Sequence, residues 1–179
     1  TPENPLGLNV LNLLEINTYF MAGKNSLGPL PPLPTSPVDY AAYLPSFNEE
    51  NPRKSETENG TGFAFGQQLT IDTGELRFLI FYAQLLIDFG FDVSVLKTDA
   101  YCEEVGGTMG LNGWYATGQV YAAIMAAVGI DINLWFVQKK IVILEVGLIA
   151  ALQAGLPKPT WMRGEVYGYY NVFDGLLTG

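Results

Sequence analysis

The sequence contains no histidine and a single cysteine among its 179 residues. Without an imidazole, a histidine general base and a histidine-rich metal site are both excluded. Cys102, which lies in DAYCEEVGG, cannot form a disulfide within the chain. It is therefore either a free thiol or the partner of a cysteine outside this sequence.

Charge is also scarce, and most of it is negative. Charged residues make up 15% of the chain, against roughly 25% in ordinary soluble domains, and the net charge is -9. A chain this acidic, whose few lysines and arginines are scattered, excludes nucleic acid as a partner and an electrostatic membrane anchor. With 49% hydrophobic residues, we expect either an unusually large core or a surface that faces protein or lipid.

Long apolar runs are missing as well. No stretch of 18 residues is free of polar interruption, so a transmembrane helix is not predicted. The chain opens on TPENPLG, with neither an initiator methionine nor a basic-then-apolar signal, which indicates an internal or processed piece of a longer protein.

Residues 1–61 are predicted to form an arm and a linker. The apolar spacing over 5–22 favours a short helix, the prolines of 28–37 an extended connector, and 39–44 a single helical turn. Residues 48–62 are polar and rich in turn formers, so we expect a solvated linker there, which contains a formal glycosylation sequon at Asn59.

Residues 62–179 have a different character, with apolar side chains at every second position. From Leu79 to Val95, the odd positions are all apolar, while the even positions become polar at Gln84, Asp88, Asp92 and Ser94. Similar runs follow over 120–136, 141–156 and 163–171, with a tight polar turn predicted at 138–140. This period of two, with short connections, predicts an antiparallel meander. The fold class is therefore mainly β, with long coiled strands in an open or barrel-like sheet and a short, proline-rich, partly helical N-terminal arm.

One frame occurs twice within that region. YAQLLIDFGFDVSVL begins at Tyr82 and YAAIMAAVGIDINLW at Tyr121, and both place a glycine two residues before an aspartate. The simplest interpretation is a repeated strand of one sheet, in which each glycine marks a bulge, a bend or the close approach of another backbone.

The shared aspartates are the strongest candidates for chemistry. If the two repeats lie in register, Asp92 and Asp131 could form the carboxylate pair that glycoside hydrolysis needs. Together with Asn133, they also suit calcium, which prefers oxygen ligands. The alternative is that these residues belong to a polar, water-exposed face of the sheet and only keep that face soluble. That face comprises Asp88, Asp92, Ser94, Asp131, Asn133, Glu145 and Glu165. The solubilising role is favoured, so no catalytic, cofactor or firm metal site is predicted.

The opposite face is apolar and needs a cover in a soluble antiparallel sheet. The N-terminal segment LNVLNLLEINTYF is a candidate for that cover. Dense aromatic residues on alternating strands favour cross-strand packing, but they are also typical of the girdles of an outer-membrane β-barrel. An apolar groove that holds lipid is a related alternative.

Three segments, GTGFAFGQQLTIDTGELRFLIFYAQLLIDFGFDVSV, GLNGWYATGQVYA and LQAGLPKPTWMRGEVYG, resemble parts of very large secreted or cell-surface proteins of Bacteroidetes-type bacteria. The resemblance covers about residues 62–179. It implies an exported, β-rich module, extracellular or associated with the outer membrane, and it transfers no functional residues.

Together these observations predict a non-enzymatic structural or binding module of a bacterial cell-surface assembly. Its expected partners are other subunits or domains, with an apolar ligand or lipid as a further candidate. The alternatives are an outer-membrane β-barrel fragment or lipid-binding groove, and a carboxylate-dependent glycan hydrolase.

Overall fold

The computed structural model describes residues 1–28, 30–47, 53, 60–103, 106–135 and 137–179. The protein is mainly β, as the alternating pattern predicts, and its strands form one large antiparallel sheet that does not close. The single helical turn expected at 39–44 is confirmed as α1, and most of the predicted linker at 48–62, with its sequon, lies outside the described residues.

The elements follow one another in a near-continuous meander. In the main sheet the order is β1-β2-β3-β5-β8-β9-β10-β11, with β4 also paired to β5, while β6 and β7 form a separate small hairpin. The elements are β1 (Leu6–Val10), β2 (Leu14–Gly23), α1 (Tyr40–Tyr43), a 3-10 turn (Pro45–Phe47), β3 (Thr61–Asp72), β4 (Leu76–Phe78), β5 (Phe81–Lys97), β6 (Tyr101–Cys102), β7 (Gly107–Thr108), β8 (Trp114–Leu134), β9 (Val137–Leu156), β10 (Trp161–Val172) and β11 (Leu177–Thr178).

Two sequence-based predictions of local structure are wrong. Residues 5–22 form the hairpin of β1 and β2, not a helix, and its turn places Leu11 and Asn12 at positive φ. The hairpin prevails because β2 pairs along its whole length with β3, which gives its backbone a partner that an isolated short helix would lack. Residues 138–140 are not a turn but the start of β9, opposite residues 131–133 of β8.

The two repeats are adjacent antiparallel strands, which explains their shared frame. Gly90 lies opposite Tyr121 and Gly129 lies opposite Tyr82, so each tyrosine packs over the glycine of the other repeat. A Cβ atom on Gly90 would come within 2.2 Å of the Tyr121 hydroxyl oxygen, and one on Gly129 within 2.5 Å of the Tyr82 ring. The shared tyrosine and glycine are therefore architectural, and the glycine makes room for an aromatic ring from the neighbouring strand.

Residues 27, 28 and 30–47, which we call the arm, run across one face of the sheet and bury their apolar side chains there. We call this the covered face and the opposite one the open face. Two clusters form, one from arm residues 33–44 on the middle of β8 and β9, the other from Leu27 and Leu30 on β3 and β5. The clusters comprise Leu33, Val38, Tyr40, Leu44, Tyr121, Ala123, Ile149 and Ala151, and Leu27, Leu30, Ala64 and Leu96.

This arrangement reverses the predicted burial of the two faces where the arm lies. Asp88, Asp92 and Ser94 are predicted to face water, but they are 0%, 2% and 1% exposed beneath the arm. The predicted cover of the apolar face is also wrong, because the segment LNVLNLLEINTYF forms edge strands of the sheet itself. Among the described residues, no helix is long and apolar enough to cross a membrane.

Candidate functional site: two faces of one sheet

The covered face is polar, and its polar groups bind one another and the arm. Asp88 on β5 accepts hydrogen bonds from the Tyr40 hydroxyl at 2.8 Å, from Gln68 Nε2 at 2.9 Å and from Thr70 Oγ1 at 2.7 Å. Burial, reinforced by the negative charge of Asp88, raises the pKa of Tyr40 well above its usual range. The Tyr40 hydroxyl therefore stays protonated and serves as a fixed donor that ties the arm to β5.

A second buried carboxylate binds an arginine that lies beyond the arm. The Arg53 guanidinium donates to Asp92, and both side chains are almost completely buried. A buried carboxylate without a cation would be energetically costly. Arg53 therefore neutralises the negative charge of Asp92 on the covered face. Asp92 thus has a structural role, because it fixes Arg53 on the covered face.

Glutamines and an arginine on β8, β9 and β10 complete the attachment. Gln119 Nε2 donates to the carbonyl oxygens of Pro31 and Pro32 at 3.3 and 3.2 Å, and Gln153 donates to Gln119 Oε1 at 2.9 Å. Arg163 donates to Gln153 Oε1 at 2.7 Å and to the Ser46 carbonyl at 3.1 Å. The described part of the proline-rich connector has no strand partner, so the Gln119 amide supplies the hydrogen bonds that the Pro31 and Pro32 carbonyls need.

Sequence reasoning does not single out these anchoring residues. The available signal is that Gln119 and Gln153 occupy equivalent polar positions on neighbouring strands, but this becomes visible only once the register is known. The role of the covered face is structural, because the donors and acceptors described above bind one another and the protein's own arm.

The structure does not bring the two repeat aspartates together. Asp92 lies opposite Gln119, whereas Asp131 lies twelve residues further along β8, roughly 40 Å away at 3.3 Å per residue. Asp131 binds Arg77 at 2.9 Å and lies opposite Lys140, so each aspartate has its own cationic partner. Asn133 shares the end of β8 with Asp131, opposite Gln138.

The other polar residues of the predicted wet face are also dispersed. Glu165 accepts from the Ser46 backbone nitrogen at 3.1 Å, and Glu145 lies near the Tyr169 hydroxyl at 3.5 Å. Within the part of the chain that the structure describes, no three acidic or cysteine side chains are grouped so that they could hold a metal ion.

The open face has the opposite character. Its side chains are predominantly apolar, and many are well exposed, including Ile124 at 50%, Leu148 at 54% and Val166 at 69%. Across the described strands it has no charged side chain between the row of Lys97 and the row of Lys139, and its polar groups there are Thr18, Gln67 and the Tyr170 hydroxyl. It is formed by the alternate residues of 14–22 on β2, 63–71 on β3, 81–95 on β5, 116–130 on β8, 144–156 on β9 and 162–172 on β10.

A shallow groove of about 420 Å³ crosses this face between β5, β8 and β9. The small residues Ala116, Gly118 and Ala154 leave room for it, and Phe91 and Leu152 flank it. A contiguous exposed apolar surface of this extent is rare on monomeric soluble proteins and marks a binding site. The open face is the candidate functional site, and the chemistry it offers is non-polar contact.

Comparison of the chain with protein-family models, with curated proteins and with solved structures gives no match.

Proposed function

We propose that this chain is a non-enzymatic structural or binding module of a bacterial extracellular or cell-surface assembly. The observation that carries the proposal is the difference in composition and burial between the two faces of its sheet. The polar face is closed by the chain's own arm, whereas the open face, which has no charge between the Lys97 and Lys139 rows, stays exposed among the described residues. The resemblance of residues 62–179 to large exported proteins supports the cellular setting.

The edges of the sheet support an assembly role. β1 and β11 lie at the two ends of the strand order, and the outer side of each carries no partner strand within the described chain. Exposed strand edges are templates for pairing with further strands. Neighbouring subunits or domains would therefore meet the module along its edges, while its open face contacts an apolar partner.

The proposal predicts that charge on the open face disrupts association. Ile124 and Leu148 are direct cross-strand partners at the middle of this face, and a variant with both replaced by Glu places two carboxylates in it. We expect the parent chain to associate in dilute buffer and to bind the apolar dye bis-ANS, because its exposed apolar surface is large. The double variant should lose most of both signals in sedimentation velocity and fluorescence titration.

A matched control carries one of the charges on the other side. Gln84 is exposed on the covered-face side of β5, beyond the arm, so Gln84→Glu adds a carboxylate without touching the open face. It should leave association and dye binding unchanged. A parent chain that sediments as a monomer and ignores the dye would contradict the proposal, as would recovery of the chain from the cytoplasm when the cells that make it are fractionated.

A further inference from the structure

We infer that the fatty acyl chains of lipid are what covers the open face. This inference rests on the proposed function, since it names the occupant of the surface through which the module is proposed to bind. Four features of the described residues support it: composition, length, the residues at the two ends, and the shape of the central groove.

The open face is too apolar for a specific interface with another protein. Even the apolar interfaces of homodimers are only about 65% non-polar, and protein interfaces favour arginine and tyrosine as anchors. Here the open face of the strands between the Lys97 and Lys139 rows offers no charge and almost no hydrogen-bonding group. A protein partner would find nothing to fix its register, whereas hydrocarbon requires none.

The length of the apolar band matches the hydrocarbon layer of a lipid bilayer. On β8 the band runs from Ala116 to Ile130, which is roughly 46 Å of extended strand. Strands that contact membranes tilt by about 45°, which reduces this to about 33 Å along the bilayer normal. The hydrocarbon core of a typical bilayer is about 30 Å thick.

The residues at the two ends of the band are those favoured at a lipid–water boundary. At one end Trp114 lies opposite Lys97 on the open face. At the other end Lys139 lies opposite Ile132. Trp135, three residues after Ile132 in the sequence, is 95% exposed. Tryptophan and lysine are enriched at membrane interfaces because each combines an apolar body with a polar tip that reaches water.

The central groove provides a specific place for a chain of methylene groups. It is shallow, holds about 420 Å³, and is flanked by Phe91 and Leu152, with small side chains beneath it at Ala116, Gly118 and Ala154. A flexible acyl chain can lie along such a groove without making a hydrogen bond. The strand edges at β1 and β11 would be paired by neighbouring modules or copies, since hydrocarbon cannot satisfy backbone groups.

The test is nitroxide accessibility in lipid. In a Cys102→Ser background, which removes the native thiol, Ile124→Cys and, separately, Leu148→Cys place a spin label on the open face. Gln84→Cys places the control label on the exposed part of the opposite face. The full chain is refolded into phosphatidylcholine vesicles, and relaxation by oxygen, which partitions into lipid, is compared with relaxation by a nickel chelate, which stays in water.

We expect the ratio of oxygen to nickel accessibility to be several-fold higher at positions 124 and 148 than at position 84. Low accessibility to both reagents at 124 and 148 would mean that protein covers the face, which overturns the lipid inference and leaves the proposed function standing. High nickel accessibility at both positions would mean that the face stays wet, which overturns both. Two separate open-face positions keep the test decisive if one label perturbs folding.

Discussion

Replacement of Asp92 by Ala should lower the free energy of unfolding by about 3–5 kcal/mol, because it leaves the Arg53 guanidinium buried without this carboxylate. Both side chains are nearly inaccessible to water, so solvent cannot replace the lost ion pair. The cost should appear in urea denaturation as a lower midpoint with a similar slope. The arm should also loosen, since the Arg53 guanidinium that binds Asp92 also donates to the Pro31 carbonyl of the arm at 3.5 Å.

A double variant distinguishes the ion pair from simple loss of packing. Replacing the pair by apolar residues of similar size, as Arg53→Met with Asp92→Leu, removes both charges together and should recover most of the stability. If Asp92→Ala is nearly neutral, or if the double variant is as unstable as the single one, the buried ion pair is not what anchors this side of the arm.

Substitution of Gly90 by Ala should destabilise the protein by about 2–3 kcal/mol, although alanine is ordinarily favoured over glycine in a strand. The new methyl group would lie 2.2 Å from the Tyr121 hydroxyl oxygen. That ring cannot swing aside, because Tyr121 is 6% exposed and packs edge-to-face against Tyr40 of the arm at 5.0 Å between ring centroids. The side chains must therefore shift together, and the arm with them.

The matched control is another strand glycine. Gly168 on β10 lies on the open face, and the nearest atom to an added Cβ there is a backbone oxygen at 3.7 Å, an ordinary contact. Gly168→Ala should therefore be neutral or slightly stabilising. Truncation of the ring in a Gly90→Ala, Tyr121→Ala double variant should cost less than the sum of the two single changes. Equal effects at Gly90 and Gly168, or strict additivity, would contradict the tyrosine-over-glycine packing.

The alternation of apolar residues is sufficient to predict the strands from 62 onward, because successive side chains point to opposite sides only in extended backbone. It cannot predict which face points inward. That choice depends on where the arm docks, and docking depends on hydrogen bonds from Gln119 to the carbonyls of Pro31 and Pro32 and from Gln153 to Gln119. Such partners lie far apart in sequence, so no local pattern indicates them. A polar alternate face is ordinarily the wet one, and here the arm makes it the buried one.

The repeated aspartates show a second limit of sequence reasoning. Two identical frames suggest two equivalent sites. Because neighbouring antiparallel strands run in opposite directions, the aspartates that follow the two glycines lie toward opposite ends of the strand pair. The repeats match at tyrosine over glycine, which sends Asp92 toward Arg53 and Asp131 toward Arg77 at the far end. The hairpin of β1 and β2 is not predicted from the sequence for a different reason. Leu6, Leu8 and Val10 do alternate, but the strand is short and its turn has no glycine to mark it.

The most direct test of the account compares two adjacent residues of β8. In the Cys102→Ser background, Ala123→Cys places a thiol beneath the arm, where the native residue is 1% exposed, and Ile124→Cys places one on the open face, where it is 50% exposed. The rate of labelling by a water-soluble maleimide is measured for the full chain without lipid, at a concentration low enough for sedimentation velocity to show a monomer. The account predicts that the thiol at 124 reacts much faster than the thiol at 123. Faster or equal labelling at 123 would show that the arm does not close the polar face, and would contradict the division of the sheet into a covered and an open side.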